Sequence, residues 1–379
     1  MSEMSYLEKL LDGVEVEWLP LTSLCKLITT GKLNANAMED NGIYPFFTCN
    51  EEPYQINTYA FDMEAILISG NGSQVGHLNY YNGKFNAYQR TYILGEFESN
   101  IIIMYLYHYL KKTLKKYIHK NSKKGSVPYI TMPMLENFIF PIPCPDNPAK
   151  SLAIQSEIVR ILDKFSELTA ELTAELSMRK KQYNYYRDQL LSFKEGEVEW
   201  KTLGEVAVIG TGNHDTQDAI EHGKYIFYAR GREPLKLNVF DFDETAIITA
   251  GDGAGVGKVF HYAKGKYALH QRAYRIVPNA FMNPRFVYHY ITAYFFTYIQ
   301  KASVSSSVTS LRRPMFLKFP IPVPPSEEQA RIVEILDKFD TLTNSITEGL
   351  PREIELRQKQ YGYYRDLLFS FPKPETASN

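Results

Sequence analysis

The stretch RKKQYNYYRDQLLSF, Arg179–Phe193, returns as RQKQYGYYRDLLFSF, Arg357–Phe371, and the rest of the chain repeats around it. Working towards the N-terminus of each copy, IVRILDKFSELT (Ile158–Thr169) matches IVEILDKFDTLT (Ile332–Thr343), FPIPCP matches FPIPVP, and YHY at Tyr107–Tyr109 matches Tyr288–Tyr290. Ser69–Tyr92, SGNGSQVGHLNYYNGKFNAYQRTY, matches Ala250–Tyr274, AGDGAGVGKVFHYAKGKYALHQRAY. ITTG (Ile28–Gly31) matches IGTG (Ile209–Gly212), and GVEVEW matches GEVEW, carrying the only two tryptophans, Trp18 and Trp200. A period of about 180 residues is far longer than a solenoid repeat, so each copy is a domain plus a connector. YLEKLLDGVEVEW at Tyr6 also aligns with YRDQLLSFKEGEVEW at Tyr186. The start of the chain thus imitates the exit of the central helix, which predicts that the termini meet in a closed pseudo-twofold arrangement.

At 379 residues, two domains of ordinary size are expected. The boundaries read as 1–150 for a first domain, 151–194 for a central helix, 195–326 for a second domain, and 327–379 for a C-terminal helix and tail. Ala65–Ser69, Thr91–Leu94, Thr245–Thr249 and Tyr274–Val277 are β-branched or aromatic runs read as bounded by glycine, and are expected to be strands. Ile101–Tyr117 and Pro284–Tyr298 are helix-length and aromatic-rich. Each copy then passes through a proline-rich exit (Pro141, Pro143, Pro145; Pro320, Pro322, Pro324, Pro325) that cannot be helix interior. Ser326 with Gln329 predicts a capping box. Apolar residues then keep a spacing of three or four, through Ile154, Ile158, Ile161, Phe165, Leu168, Leu172 and Leu176 in one copy and Ile332, Ile335, Phe339, Leu342 and Ile346 in the other. The fold class is α+β: two pseudo-twofold-related α/β domains separated by two long, antiparallel, coiled-coil-like helices.

The net charge of −1 conceals segregation. No acid occurs from Ser99 to Leu135, where Lys111, Lys112, Lys115, Lys116, Lys120, Lys123 and Lys124 crowd together. None occurs from Gly253 to Ser326, against Lys258, Lys264, Lys266, Arg272, Arg275, Arg285, Lys301, Arg312, Arg313 and Lys318. Two basic blocks in matching places suit phosphate binding, although solvated helix faces would look the same. Cys25, Cys49 and Cys144 are too scattered for a disulfide framework or a CxxC metal site, which favours a reducing compartment. The longest apolar run, Ile101–Leu110, is too short to span a bilayer, and the expected location is cytoplasmic.

Inside the central helix, LTAELTAEL (Leu168–Leu176) repeats a four-residue unit. Each unit lengthens a helix by about 6 Å and rotates its C-terminal continuation by about 40°. One base pair of DNA advances about 3.4 Å and turns about 34–36°. The rotation matches one base pair better than the rise does. A tandem between two basic domains is suited to setting their spacing on a duplex; a heptad stutter that only adjusts packing is the alternative.

Catalytic signatures fit poorly. The clusters Gly70, Gly72, Gly76 and Gly251, Gly253, Gly255, Gly257 contain neither GxGxxG nor a P-loop and read as tight turns. NPRF at Asn283 resembles the NPPF or NPPY loop of adenine methyltransferases, but Arg285 replaces the second proline, and a helix start explains it better. There is no GxSxG, HExxH or Cys/His zinc spacing. His77, His108 and His119 lack partners identifiable in the sequence, which favours structural or phosphate-contacting roles. Gln89 and Arg90, matched by Gln271 and Arg272, could read adenine and guanine, or could serve the shared fold.

Two variable domains, two near-identical helical regions ending in QYxYYRD, and a tandem TAEL resemble the specificity (HsdS) subunits of type I restriction-modification enzymes of the IC family. The resemblance covers the whole chain and is strongest at Ser151–Trp200 and Ser326–Phe371. It implies a subunit without chemistry of its own and without a cofactor or metal. S-adenosylmethionine would belong to two methyltransferase (HsdM) partners, and ATP and Mg to endonuclease (HsdR) partners. Each target recognition domain would read half of a split, asymmetric DNA site, and Thr169, Ala170, Glu171, Leu172, Thr173, Ala174, Glu175 and Leu176 would set a spacer of the shorter class. From the residues themselves, DNA contacts are expected at Asn71, Ser73, Gln74, Gln89, Arg90, Lys123, Lys124, Ser126 and Tyr129, and at Lys258, His270, Gln271, Arg272, Ser305, Ser306, Arg312 and Arg313, more of them to phosphates than to bases. Tyr183, Tyr185, Tyr186 and Arg187, with Tyr361, Tyr363, Tyr364 and Arg365, suit either a protein interface or packing between the helices. A stand-alone adenine methyltransferase with its own target domains is the alternative, disfavoured by the missing cofactor and NPPY-type motifs.

Overall fold

The computed structural model describes residues 6–11, 13, 15–122, 128–194, 196–302, 310–345 and 347–372. The first copy runs α1 (Tyr6–Leu11), β1 (Val16–Pro20), β2 (Cys25–Thr30), β3 (Tyr44–Phe47), β4 (Tyr54–Ile56), β5 (Phe61–Ser69), β6 (Leu78–Ala87), β7 (Thr91–Phe97), α2 (Ile103–Asn121), α3 (Met132–Glu136), β8 (Ile139–Pro143) and α4 (Pro148–Leu190). The second runs β9 (Glu199–Thr202), α5 (Leu203–Val206), β10 (Ala207–Thr211), β11 (Tyr225–Tyr228), β12 (Leu235–Leu237), β13 (Phe242–Ala250), β14 (Phe260–Leu269), β15 (Ala273–Pro278), α6 (Pro284–Ala302), α7 (Arg313–Leu317), β16 (Pro320–Val323), α8 (Ser326–Asn344) and α9 (Leu350–Leu368). The chain forms two compact units, residues 1–171 with 354–379, and residues 172–353.

Each unit holds a six-stranded sheet of the same order, β2-β7-β5-β6-β3-β4 in one and β10-β15-β13-β14-β11-β12 in the other. Between the named strands the pairings are antiparallel except β3 with β6 and β11 with β14. The central strand explains the layering, because alternate side chains leave opposite faces. Ile66 and Ile68 of β5 join the core under α2, whereas Ala65 and Leu67 join Phe47, Phe85 and Ile93 on the other face. In the second unit Ile247 faces the α6 side, and Ala246 and Ile248 face away. The proline-rich exits become edge strands: β8 pairs with β1 and β16 with β9, each in a two-stranded ribbon where a missing N–H is tolerated. The duplicated glycine of ITTG and IGTG is a close-approach position. A Cβ on Gly31 would lie 1.9 Å from the Ala87 carbonyl oxygen, and on Gly212, 1.8 Å from that of Leu269.

Each domain core is completed by a helix end from the other copy's connector. Leu368, Phe369 and Phe371, which end the second repeat, are buried with the first domain. Leu191, with Leu190 and Phe193 beside it, ends the first repeat and belongs to the second core. Leu11 shares the core of Leu368, and Trp18 Nε1 donates to the Pro372 carbonyl at 3.0 Å, so the segments near the two termini meet as the sequence predicts.

Two helical expectations need correction. The first connector is one 43-residue helix, α4, but its counterpart is two helices of 19 residues, α8 and α9. The periodicity through Leu342 and Ile346 does not extend α8 beyond Asn344, and Ile346 lies outside the described residues. Gly349 has a φ of +81°, in the left-handed region, and a Cβ there would lie 2.4 Å from the Thr341 carbonyl oxygen, so the chain turns back on the end of α8 where only glycine fits. The second repeat is four residues longer between matching landmarks (Phe339–Gln360 against Phe165–Gln182), and the extra length falls at this interruption. The capping box is also absent. Ser326 begins α8 without a side-chain cap, and Gln329 turns inward.

Candidate nucleic-acid interface

In the first domain the loops at one end of the sheet converge on the turn Tyr88–Arg90. Tyr88 N–H donates to the Phe47 carbonyl at 2.9 Å, and Gln89 N–H to Leu33 at 2.9 Å. The Gln89 side chain donates to Asn34 Oδ1 at 3.0 Å. The Arg90 carbonyl accepts from Gly70 N–H at 2.9 Å, the Gly70 carbonyl from Ile130 N–H at 2.8 Å, and the Ile130 carbonyl from Tyr92 Oη at 2.8 Å. A cleft lined by Gly70, Gln89, Arg90, Tyr92, Tyr129 and Ile130 results.

The second domain repeats this scheme. His270 N–H donates to Tyr228 at 3.0 Å, Gln271 N–H to His214 at 2.9 Å, Gly251 N–H to Arg272 at 2.8 Å and Leu311 N–H to Gly251 at 2.7 Å. Gln271 Nε2 donates to Asp215 Oδ2 at 3.1 Å. Thr211, Gly251, Asp252, Gln271, Arg272, Tyr274, Ser310 and Leu311 line the equivalent cleft. Both readings of the duplicated Gln-Arg pair therefore have a place here: the backbone of the turn ties the loops together, while Gln89, Arg90, Gln271 and Arg272 are exposed.

The glycine clusters are the turns between β5 and β6 and between β13 and β14, as expected. Asn71, Ser73 and Gln74 lie in the first, half-buried or exposed, with Tyr129 exposed nearby. Lys258 is exposed in the second, 4.9 Å from the Phe296 ring centroid. Arg312 and Arg313 are exposed at the start of α7. Lys123, Lys124, Ser126, Ser305 and Ser306 lie outside the described residues. His270, expected as an exposed contact residue, is instead buried, and its Nδ1 accepts from Arg272 N–H at 2.9 Å, so it shapes the turn from beneath. Burial, and then the nearby Arg230, push its imidazole below the ordinary range. The basic blocks are also thinner than their sequence suggests. Arg285 pairs with Asp337 and Asp340, Arg275 with Glu244, and Lys112 with Asp366.

Residues 13–178 and 195–356 each match the family described as the type I restriction modification DNA specificity domain. The chain belongs to that family. It is 42% identical to the EcoR124I/EcoR124II specificity subunit of Escherichia coli, with all of both chains covered. It is 40% identical to the EcoprrI specificity subunit of the same organism, over 92% of this chain and 93% of that one. Its fold is similar to that of the type I restriction-modification S subunit from M. genitalium, with a TM-score of 0.68 over 96% of this chain and 98% of the other at 17% identity. This chain is thus a type I specificity subunit, with two sheet-based domains and a long helix between them in sequence. No helix among its described residues is long and apolar enough to cross a membrane, and no cluster of potential metal ligands occurs among them.

Duplicated polar locks that the sequence does not reveal fix each domain of this specificity subunit to its connector. Buried Gln155 accepts from Ile102 N–H at 2.8 Å and donates to the Asn100 carbonyl at 2.9 Å. Buried Gln329 accepts from Asn283 N–H at 2.7 Å and donates to the Pro324 carbonyl at 2.9 Å. NPRF is a helix start, with Asn283 Oδ1 accepting from Arg285 N–H at 2.9 Å. His108, which has no partner identifiable from sequence, places Nε2 2.8 Å from Asp163 Oδ1, and His289 sits 2.7 Å from Asp337 Oδ1. The only available signal is that YHY and LDKF are each kept in both copies.

Burial pushes the His108 imidazole below its ordinary value, against the raising effect of Asp163, and Lys111 adds to the lowering; Tyr361 Oη stands 3.4 Å from Nδ1. The folded domain therefore resists a proton that the unfolded chain accepts. This contribution to stability is full above an ordinary value of 6.5 and is lost as pH falls from there towards the lower folded value. Melting temperature should thus drop between about pH 7.5 and about pH 5.5, and drop less in His108→Gln, whose amide can still donate to Asp163. Equal drops in both proteins would remove His108 from the explanation.

The tyrosine motif divides by face. Tyr183 packs near Phe339 with the second core, and Tyr361 packs with the first. Tyr186 stacks on Phe339 at 5.6 Å, and Tyr364 on Phe165 at 5.2 Å. Tyr185 and Tyr363 point outward, 62% and 66% exposed. Arg187 and Arg365 each bond the neighbouring aspartate, Asp188 and Asp366.

Proposed function

We propose that this subunit carries no chemistry of its own and gives a type I complex its DNA sequence: each domain reads one half of a split, asymmetric duplex site. The observation that carries the reading is the duplicated convergence of loops on Tyr88–Arg90 and His270–Arg272, which presents exposed polar side chains from one framework with different surroundings. Around these turns, Asn71, Ser73, Gln74, Gln89, Arg90 and Tyr129 contact DNA in the first half, and Lys258, Gln271, Arg272, Arg312 and Arg313 in the second. Phosphate contacts position the domains and fewer base contacts specify. The tandem Thr169–Leu176 sets a spacer of the shorter class. It contains the division between the two compact units, at Glu171 and Leu172, on one uninterrupted helix.

Two methyltransferase subunits bind the outward tyrosines, with S-adenosylmethionine on those partners. Endonuclease subunits using ATP and Mg join that core, in the cytoplasm. The test is to map methylated adenines in DNA exposed to this chain together with its methyltransferase partner. Two fixed half-sites separated by an unread spacer are expected, and no methyl transfer by this chain alone. Methylation without the partner, or a single continuous site, would overturn the reading.

A further inference from the structure

The two clefts share a framework but not their chemistry, and the differences fall on a few matching positions. Asn71 of the first domain corresponds to Asp252 of the second, Cys49 to Arg230, and Gln74 to Gly255, while Arg90 and Arg272 correspond to each other. In the second domain Asp252 bridges both arginines, accepting from Arg230 Nη1 at 2.9 Å through Oδ1 and from Arg272 Nη1 at 3.0 Å through Oδ2. Gly255 lets this cluster close. A Cβ there would lie 2.7 Å from the Arg230 carbonyl oxygen, so the side chain of a residue such as Gln74 would not fit. The first domain has no such bridge: Cys49 only donates weakly, Sγ to the Arg90 carbonyl at 3.5 Å, and no carboxylate holds the Arg90 guanidinium among the described residues.

We infer that Arg230, Asp252 and Arg272 form a guanine-reading element specific to the second domain, with Asp252 as the positioning residue. This deepens the half-site reading above and rests on it. Asp252 uses a single nitrogen of each guanidinium, which leaves the Nε–Nη2 edge of both for another acceptor pair. That edge matches the O6 and N7 acceptors of guanine in the major groove. Both side chains reach solvent, Arg230 at 39% and Arg272 at 63% exposure, while Asp252 is more covered at 23%. Burial alone would raise the Asp252 carboxyl, but hydrogen bonds from Arg230 and Arg272 outweigh it and hold the group below the usual carboxylate range, so it stays charged and keeps both forks aligned. Holding the arginines in place also lowers the entropy lost when a long side chain is fixed on a base. In the first domain Arg90 lacks this alignment, and the same guanine preference is not expected there.

The test compares methylation maps of the complete complex containing wild type, Arg230→Cys or Asp252→Asn, each of which installs the first domain's residue. The wild-type half-site assigned to the second domain should contain guanine. Arg230→Cys should lose roughly 5- to 150-fold of discrimination at one guanine position, with the other half-site and the spacer unchanged. Asp252→Asn should relax guanine positions in the same half-site with little change in overall DNA binding. The unaltered half-site, read in the same molecule, reports that the complex is folded and active. Uniform weakening over all sequences, with a shallower salt dependence, would assign the arginines to phosphates and overturn the inference. A second half-site without guanine would also overturn it, while leaving the two-half-site reading standing. A wild-type map with no split site would overturn that reading and this inference together.

Discussion

Deletion of Thr173–Leu176 is expected to shorten the preferred spacer by one base pair and to leave both half-sites unchanged. The change removes one helical repeat unit from α4, withdrawing about 6 Å of rise and about 40° of rotation. A match to the rise would predict a shift of nearly two base pairs of about 3.4 Å, whereas a match to rotation predicts one of about 34–36°. Rotation is the stricter constraint, because a recognition element turned away from its groove loses its base contacts, while small axial errors can be spread along DNA and protein. The deletion is compatible with the fold. None of Thr169–Leu176 is fully buried, and the buried residues of α4 end at Leu162. The second connector is already divided into two helices, which end at Asn344 and begin again at Leu350. Methylation mapping measures both quantities at once. Altered half-sites at unchanged spacing would show that the tandem serves packing and not spacing, and a two-base-pair shift would show that rise governs.

Whatever repeats over many residues is legible in the sequence. The duplication announces two domains of one topology, and apolar runs in Phe61–Ser69 and Phe242–Ala250 locate the central strands, because a strand covered on both faces is apolar on both. Features carried by one or two side chains are not legible. Gln155 and His108 lie in helices whose periodicity would be equally good with leucine there, and only their partners, a free backbone N–H and a carboxylate on another element, make them structural. The capping-box pattern at Ser326 fails for the same reason: Gln329 has a buried alternative that a local motif does not register. Apolar spacing also misplaces the end of α8, since it continues past Asn344, although Gly349 and Pro351 are there to read as a stop and a new start. At the proposed DNA face, the sequence offers the shared Gln-Arg pair as candidates but not Arg230 or Asp252. Their significance depends on three strand ends meeting, and no local spacing encodes that.

Alanine at Tyr185 or at Tyr363 is expected to remove one methyltransferase subunit from the complex, and the double substitution to remove both. The other tyrosines of the repeated motif have structural work: Tyr183 and Tyr361 pack with the domain cores, and Tyr186 and Tyr364 stack on Phe339 and Phe165. Tyr185 and Tyr363 are equivalent residues left outward on helices, and each packs edge-on against its neighbour at 5.4 Å, which restrains its rotamer before a partner arrives. A pre-ordered, exposed aromatic side chain suits the centre of a protein interface, where truncation costs about 2 kcal/mol or more, roughly 30-fold in affinity. Because one site lies in each compact unit, losses should be additive in stoichiometry: with wild-type partner held at a few times the former dissociation constant, sedimentation of either single variant should give about one methyltransferase per chain, and the double variant almost none. Folding is controlled by the melting temperature, which should be unchanged because neither ring is buried. Substitution by phenylalanine should restore most of the affinity if apolar area dominates, and little if the hydroxyl pairs across the interface. Full occupancy by two partners in the double alanine variant would place the docking surface elsewhere on the subunit.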